Sequence, residues 1–326
     1  MNDASTSRRP NVLLGYDGSE DNDAALRWAV DEAGLRGCDL VMCYGWYWPY
    51  PESHVDPRVE GTVRRVGENI LNEGVRRARA LGADGPVRTC LVRGSATAGL
   101  QRESELAELI VVGTHDRRPL PVWSTALRLP AHTGRPVVVA RWLRARSGRL
   151  VVGFDGSAGA DSALGFAFAE AALRGWPLRV VHACWEPGAA SEAELPLFGD
   201  AERLVRMRTD KVAGAVASWR ARHPDVEVEL AVLPDPPREA LLAAAGEADL
   251  LVVGARGTSR LDPRVLGATS EAMINRAPCT VAIVPARRTG TADGMTEGAE
   301  GAEGAEGAEG AQRPPPPAPR RRAPAG

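Results

Sequence analysis

Leu150–Ser157 reads LVVGFDGS, and Val12–Ser19 reads VLLGYDGS. In both, a run of branched apolar residues ends at a glycine, an aromatic residue follows, and an Asp-Gly-Ser turn comes next. The echo continues along the chain. Asp39–Trp46 (DLVMCYGW) matches Leu178–Trp185 (LRVVHACW), and Leu109–Gly113 (LIVVG) matches Leu250–Gly254 (LLVVG). Asp17 and Asp155 stand 138 positions apart, the middle blocks 139, and the glycines Gly113 and Gly254 141. Three blocks in one order at a near-constant offset mark a duplicated unit rather than chance similarity. With a boundary near Arg144–Gly148, the halves run over residues 11–144 and 149–286.

Each half alternates short apolar runs with longer stretches of helical period. In the second half the expected strands are Leu150–Phe154, Leu178–Ala183, Val226–Val232, Leu250–Gly254 and Val281–Val284. Between the first two, Ala163, Leu164, Ala167, Phe168, Ala171 and Ala172 keep the i, i+3, i+4 spacing of one helix face. Leu204–Trp219, Arg238–Ala245 and Val265–Arg276 supply three more helices. Continuous Val, Leu and Ile strands imply burial on both faces of a parallel sheet. The fold class is therefore α/β: two tandem doubly wound, Rossmann-like domains, each a five-stranded parallel sheet flanked by helices.

Composition fits that reading. Of 326 residues, 44% are hydrophobic and 25% charged, which is ordinary for a globular chain and excludes wholesale disorder. No apolar run approaches the ~18–20 residues of a membrane span. The first residues carry no apolar core ahead of a cleavage site, so the expected location is cytoplasmic. A formal charge of −2 gives no basic field for nucleic acid. Trp46–Pro51, rich in Trp, Tyr and Pro, lacks the neighbouring basic residues of a stacking platform. Cys38, Cys43, Cys90, Cys184 and Cys279 form no CxxC pair and read as reduced thiols. Lys211 is the sole lysine, so no Walker-type phosphate loop exists. His54, His115, His132, His182 and His223 show no metal-ligand spacing, and His182 falls in a strand expected to be buried. The ends differ in kind. Residues 1–10 read as a flexible lead. From Arg287 onward a Glu-Gly-Ala repeat, four prolines and Arg320–Arg322 lack the apolar residues to offset the entropy of ordering.

In open α/β sheets, ligands bind beyond the carboxyl ends of the strands, where strand order reverses. Two loops belong there if the order is 3-2-1-4-5. One is Gly153-Phe154-Asp155-Gly156-Ser157. The other is Gly254-Ala255-Arg256-Gly257, with Gly267, Ala268 and Thr269 opening the next helix. A carboxylate on one side suits a sugar hydroxyl or base edge, and glycines at a helix N-terminus suit phosphate. Each piece alone also serves as an ordinary turn, with Ser157 as N-cap. The combination and the spacing make the signal specific.

Gly254, two residues, Gly257, nine residues, Gly267 resembles the glycine signature of the universal stress protein family. LVVGFDGS, VVHACW and NRAPCTVAIV resemble its remaining blocks. The resemblance covers Asn11 to Val284 as two copies. It implies the strand order 3-2-1-4-5 and an ATP site, with or without Mg2+, in members that keep the signature. It implies that Asp155 contacts ribose and adenine, that Ala183 and the Val253 backbone line the adenine pocket, and that Gly254, Gly257 and Gly267 admit main-chain N–H groups to the phosphates. Arg256 and Arg260, in the same loop, are placed to add charge-assisted contacts. The hydroxyl expected after the third glycine is replaced by Ala268, leaving Thr269 or Ser270 to substitute for it.

The first half departs further. Asp116 stands where the second glycine belongs, and its carboxylate repels phosphate. Ala126 replaces the third glycine, and Pro130 is expected to shorten or kink the helix that follows. This half reads as a degenerate partner. The expected protein is a non-enzymatic stress-response module that binds ATP mainly through its second half, with at most slow incidental hydrolysis or autophosphorylation. The halves are expected to form a pseudo-dimer through Arg135–Ala140 against Thr280–Val284, as the resemblance implies. A homodimer of whole chains and an unidentified protein partner complete the expectation, with no nucleic acid or membrane. The alternatives are a scaffold that no longer binds nucleotide and an enzyme acting through an adenylyl intermediate.

Overall fold

The computed structural model describes residues 9–46, 57–114, 120–121, 124–141, 147–183, 201–257 and 265–287. The expectations for residues 1–8, Asp116, Arg144, Cys184, Arg260, most of Trp46–Pro51 and the chain beyond Arg287 lie outside these. The first half runs β1 (Asn11–Gly15), α1 (Asp23–Arg36), β2 (Asp39–Trp46), α2 (Pro57–Ala80), β3 (Val87–Arg93), α3 (Ala96–Glu103), β4 (Ala107–Gly113), α4 (Thr125–His132) and β5 (Val137–Ala140). The second repeats it: β6 (Leu150–Gly153), α5 (Ala158–Arg174), β7 (Leu178–Ala183), α6 (Ala201–Arg222), β8 (Val228–Leu233), α7 (Pro237–Ala245), β9 (Leu250–Gly254), α8 (Ala268–Arg276) and β10 (Thr280–Val284).

The sheet order is β3-β2-β1-β4-β5-β10-β9-β6-β7-β8. Each half has the order 3-2-1-4-5 with parallel pairing throughout. The two five-stranded sheets merge into one of ten, because β5 and β10 pair antiparallel through Val139↔Val281, Val138↔Ala282 and Val137↔Ile283. This seam forms because both final strands are short apolar edges, VVVA and TVAIV, with every residue buried. An unpaired edge of that kind leaves backbone donors and acceptors unmet.

Helices cover both faces, as the continuous apolar strands require. Leu14, Val12 and Val180 face the layer holding α1, α2, α5 and α6, while Leu13, Val181 and Ile283 face α3, α4, α7 and α8. Several expected boundaries shift: the helix expected over Leu204–Trp219 spans Ala201–Arg222, that over Arg238–Ala245 starts at Pro237, and the strand expected over Val226–Val232 is Val228–Leu233. The helix expected from Val265 begins at Ala268, because Gly267 is extended (φ −64°, ψ 143°) and acts as the cap. Pro130 sits inside α4, which reaches eight residues against nine in α8, so the shortening is one residue.

On one face, α1 and α5 meet across the join in a buried quartet. Arg36 Nε donates to Glu32 Oε1 at 2.6 Å, and Arg174 Nε to Glu170 Oε2 at 3.0 Å. The second amines cross over, Arg36 to Glu170 and Arg174 to Glu32. Glu32 and Glu170 are fully buried, and the Arg174 guanidinium also lies 4.5 Å from the centre of the Trp28 ring. Burial, then the Glu32 charge, pushes Glu170 up to about 7 against the pull of Arg36 and Arg174. No helix among the described residues is long and apolar enough to cross a membrane.

Candidate functional site

Chain direction splits at β6 and β9. The helix after β6 packs on one face and the helix after β9 on the other, leaving a crevice beyond their carboxyl ends. A cavity of about 420 Å³ fills it, within the range of small-molecule sites. Asp155, Ala183, Val253, Gly254, Arg256, Gly257, Gly267, Ala268 and Thr269 all line it. The residues singled out from the sequence, Arg260 apart, are thus brought together in one place.

The β6 loop is built as the Asp-Gly-Ser sequence dictates. Asp155 Oδ1 accepts the Ser157 N–H at 2.9 Å, Gly156 takes a left-handed conformation at φ +81°, and Ser157 Oγ accepts the Ala160 N–H at 3.1 Å to cap α5. This holds the exposed Asp155 carboxylate over the crevice with Oδ2 directed at the opposite loop.

The glycines divide their labour. A β-carbon on Gly254 would stand 2.7 Å from the carbonyl carbon of Gly159, so this position lets the first turn of α5 lie against the end of β9. A β-carbon on Gly257 would meet Asp155 Oδ2 at 2.5 Å, so here the missing side chain makes room for the carboxylate. Gly267 donates its N–H to Ala255 O at 2.9 Å and closes the loop. It caps α8 without any side-chain hydrogen bond, so the first-turn N–H groups of Ala268, Thr269 and Ser270 have no capping side chain at the cavity wall. Ser270 cannot supply the missing hydroxyl, because it is buried and donates to Gly254 O at 2.6 Å. Thr269 carries the other hydroxyl of that turn.

Sequence reasoning missed the far wall. Lys211, read from the sequence only as excluding a Walker-type loop, lines the cavity together with Arg208, both carried by α6. Arg238 joins them from the start of α7. Among the described lining residues they make, with Arg256, four cations against one carboxylate, Asp155. The signal was a Arg-x-x-Lys pair on one face of a helix, and only the fold brings it to the β6–β9 crevice. His182 also requires correction: it is half-buried and lines the cavity, because β7 runs two residues past its last β6 partner, Gly153↔Val181, while β8 still pairs with it on the other side. Its Nδ1 lies 2.7 Å from Phe154 O, and a carbonyl only accepts, so Nδ1 bears the proton. Burial first, with Arg208 and Lys211 adding to it, holds this imidazole below its ordinary range, opposed by the Phe154 carbonyl and Asp155.

The equivalent crevice between β1 and β4 holds about 270 Å³. Asp17 Oδ1 accepts the Ser19 N–H at 2.9 Å and the Ser19 hydroxyl at 2.6 Å. Beyond it, Glu20–Asn22 forms a 3-10 turn that α5 lacks. This turn puts Asp21 in the cavity wall and buries Asn22, whose Nδ2 donates to Gly15 O at 3.2 Å. A β-carbon on Gly113 would meet that amide nitrogen at 2.9 Å. Ala126 lies buried in the wall. The described lining contains two carboxylates, Asp17 and Asp21, and no Lys or Arg. Among the described residues no group of His, Cys, Asp and Glu is gathered to hold a metal ion.

A model of the universal stress protein family matches residues 9–141 and again residues 147–285. A universal stress protein of Mycobacterium tuberculosis (Rv2005c) is 30% identical over 301 residues, covering 86% of this chain and 98% of its own. One from Mycolicibacterium smegmatis is 29% identical over 291 residues, covering 85% and 97%. The crystal structure of a universal stress protein from Archaeoglobus fulgidus superposes with a TM-score of 0.64 at 20% identity, covering 85% of this chain and 97% of that one.

Proposed function

We propose, from the premise that this chain belongs to the universal stress protein family, that it is a non-enzymatic adenine-nucleotide receptor. ATP binds in the β6–β9 crevice, and the first half serves as its structural partner. The observation that carries this reading is the opposite charge of the described walls of two crevices built alike. Among the described residues, Arg208, Lys211, Arg238 and Arg256 line the second, and Asp17 and Asp21 line the first. A triphosphate with about four negative charges is attracted to one and repelled by the other.

In this assignment Asp155 accepts from the ribose hydroxyls, and Ala183 and the Val253 backbone flank the adenine. The phosphates lie over Gly257 and the uncapped first turn of α8, at Ala268 and Thr269, where main-chain N–H groups and the helix dipole favour an anion. Arg256 and Lys211 add charge-assisted hydrogen bonds. Mg2+, where present, arrives with the nucleotide. Gly254 and Gly267 act by shaping the loop that receives it. This reading goes with a cytoplasmic location, where ATP is available, with domains at residues 11–144 and 149–286, and with a homodimer of whole chains that signals by changing its contacts.

Titration of ATP by calorimetry tests the reading, with Gly257→Asp as control. One site per chain, lost in that variant, supports it. Two sites would assign nucleotide to the first half as well. No heat, with no nucleotide released from the denatured protein, would make the chain an interaction scaffold. Ala268 and the committed Ser270 hydroxyl favour that second reading, since they remove a side-chain phosphate contact. ATP turnover no faster than that of Asp155→Ala is the expected result for a receptor.

A further inference from the structure

Away from the β6–β9 crevice, the sheet of the first half holds a pair of reactive side chains together. In the parallel ladder of β2 and β3, Cys43 is in register with Cys90. Both thiols belong to the apolar layer under α3, with Val41, Val92 and Leu100. Each thiol influences the ionisation of the other, and the Glu103 carboxylate at the end of α3 acts on both.

Neighbouring strands lie ~4.8 Å apart, inside the ~4.4–6.8 Å span between the Cα atoms of a disulfide. Parallel Cβ directions leave the β-carbons about 0.3 Å beyond the usual disulfide limit of ~4.5 Å. Among the described residues β3 is an edge strand, with no strand on its outer side to resist that movement. The two sulfurs are also unequal. Cys43 is 1% exposed, whereas Cys90 is half-buried and open to a small oxidant.

We propose that Cys43 and Cys90 form a dithiol redox site, converted to a disulfide by hydrogen peroxide. Glu103 takes the Cys90 proton, and the thiolate attacks one peroxide oxygen. The O–O bond breaks, hydroxide leaves as water after taking that proton, and Cys90 becomes a sulfenic acid. The Cys43 sulfur then attacks the Cys90 sulfur. The S–O bond breaks, the departing hydroxide takes the Cys43 proton, and a second water leaves as the S–S bond forms. Two electrons pass from the sulfurs to the peroxide, which is fully reduced.

The order of attack follows from the surroundings. The neighbouring Cys43 thiol draws Cys90 below the ordinary thiol range, against burial and Glu103, while that same pairing and burial drive Cys43 far above it. Burial raises Cys38, and raises Cys279 to about 12, so of the four described thiols Cys90 is the one shifted toward the thiolate. Cys43 also lines the first-half cavity beside Tyr44 and Gly45, so the bridge would alter the wall of that crevice.

The full-length folded protein is exposed to hydrogen peroxide, its free thiols are alkylated, and its peptides are read by mass spectrometry without reduction. A peptide pair joined through Cys43 and Cys90, two hydrogens lighter and released by dithiothreitol, is the expected product. Cys43→Ser should leave Cys90 as a sulfenic acid trapped by dimedone, and Cys90→Ser should leave Cys43 unoxidised over the same interval. A bridge between any other pair, or full alkylation of both cysteines in the folded wild-type protein, would overturn the proposal. So would oxidation of Cys90 no faster than that of Cys38. The wild-type result stands without either variant, should one fail to fold.

Discussion

Asp155 Oδ2 stands 2.5 Å from the point that a β-carbon on residue 257 would occupy, while Oδ1 of the same carboxylate is held by the Ser157 N–H. Gly257→Ala therefore turns the carboxylate away from its seat without touching the core. The expected outcome is an ATP affinity at least about tenfold weaker, an effect near 1.4 kcal/mol. Stability should stay within about 0.5 kcal/mol of wild type, as for a surface substitution. Calorimetry and urea unfolding on the same preparation check both halves of the statement.

Gly254→Ala should behave in the opposite way. Its β-carbon would meet the Gly159 main chain, which cannot swing aside as a side chain can. Forcing β9 and α5 apart is overpacking, and about 1–3 kcal/mol of stability should be lost. The urea midpoint falls, with or without nucleotide.

Lys211→Gln and Arg256→Gln separate phosphate recognition from adenosine recognition. A charge-assisted hydrogen bond contributes about 1.5–3 kcal/mol, so ATP affinity should fall by roughly tenfold or more in each. Adenosine affinity should be unchanged. Equal losses for the two ligands would place the phosphates elsewhere.

Glu170→Ala removes one of the two carboxylates shared by Arg36 and Arg174 at the join between α1 and α5, leaving Glu32 alone to face both guanidinium groups inside it. Removing one partner of a buried ionic group costs about 3–5 kcal/mol, mostly through the charges left behind. Replacing Glu32, Arg36, Glu170 and Arg174 together by apolar residues of similar volume should cost far less. Chemical denaturation of the single and fourfold variants distinguishes the two cases.

Two groups give stability a pH dependence of opposite sign. His182 is held below its ordinary range, so its contribution is present above about pH 6.5 and is lost as pH falls through its folded-state value. His182→Asn, whose amide can donate to Phe154 O, should remove that acid loss. Glu170 is raised from 4.5 to about 7, so its contribution is present below 4.5 and is lost as pH rises through about 7. Glu170→Gln should flatten that opposite slope. Urea midpoints measured from pH 4.5 to 8 for both variants check the signs.

What the sequence made legible was whatever is written in local pattern. The LVVG and LIVVG runs fixed the strands, the DGS turn fixed the α5 cap, and the glycine spacing located the crevice, because each depends on a few adjacent residues. What depends on docking stayed hidden. Arg208 and Lys211 lie more than fifty residues beyond Asp155, and only the packing of α6 against β8 and α5 brings them to the same cavity. Ser270 reads as a spare phosphate donor until the Gly254 carbonyl is seen to claim it. The repulsion expected from Asp116 has a described counterpart in Asp21, placed by a 3-10 turn that no hydrophobic period announces. The quartet was within reach: Glu32 and Arg36 recur as Glu170 and Arg174 at the offset of the Asp-Gly-Ser turns. Its significance appears only once α1 and α5 touch.

The β5–β10 seam has a consequence for how such a chain can diverge. Two separate subunits would have to find each other, and their pairing would weaken with dilution. A tether makes the encounter intramolecular, at an effective concentration independent of how much protein is present. One copy can then lose its ligand and still complete the sheet that the other copy needs. Duplication within a single chain thereby frees one crevice from having to match the other and leaves its residues open to a different task.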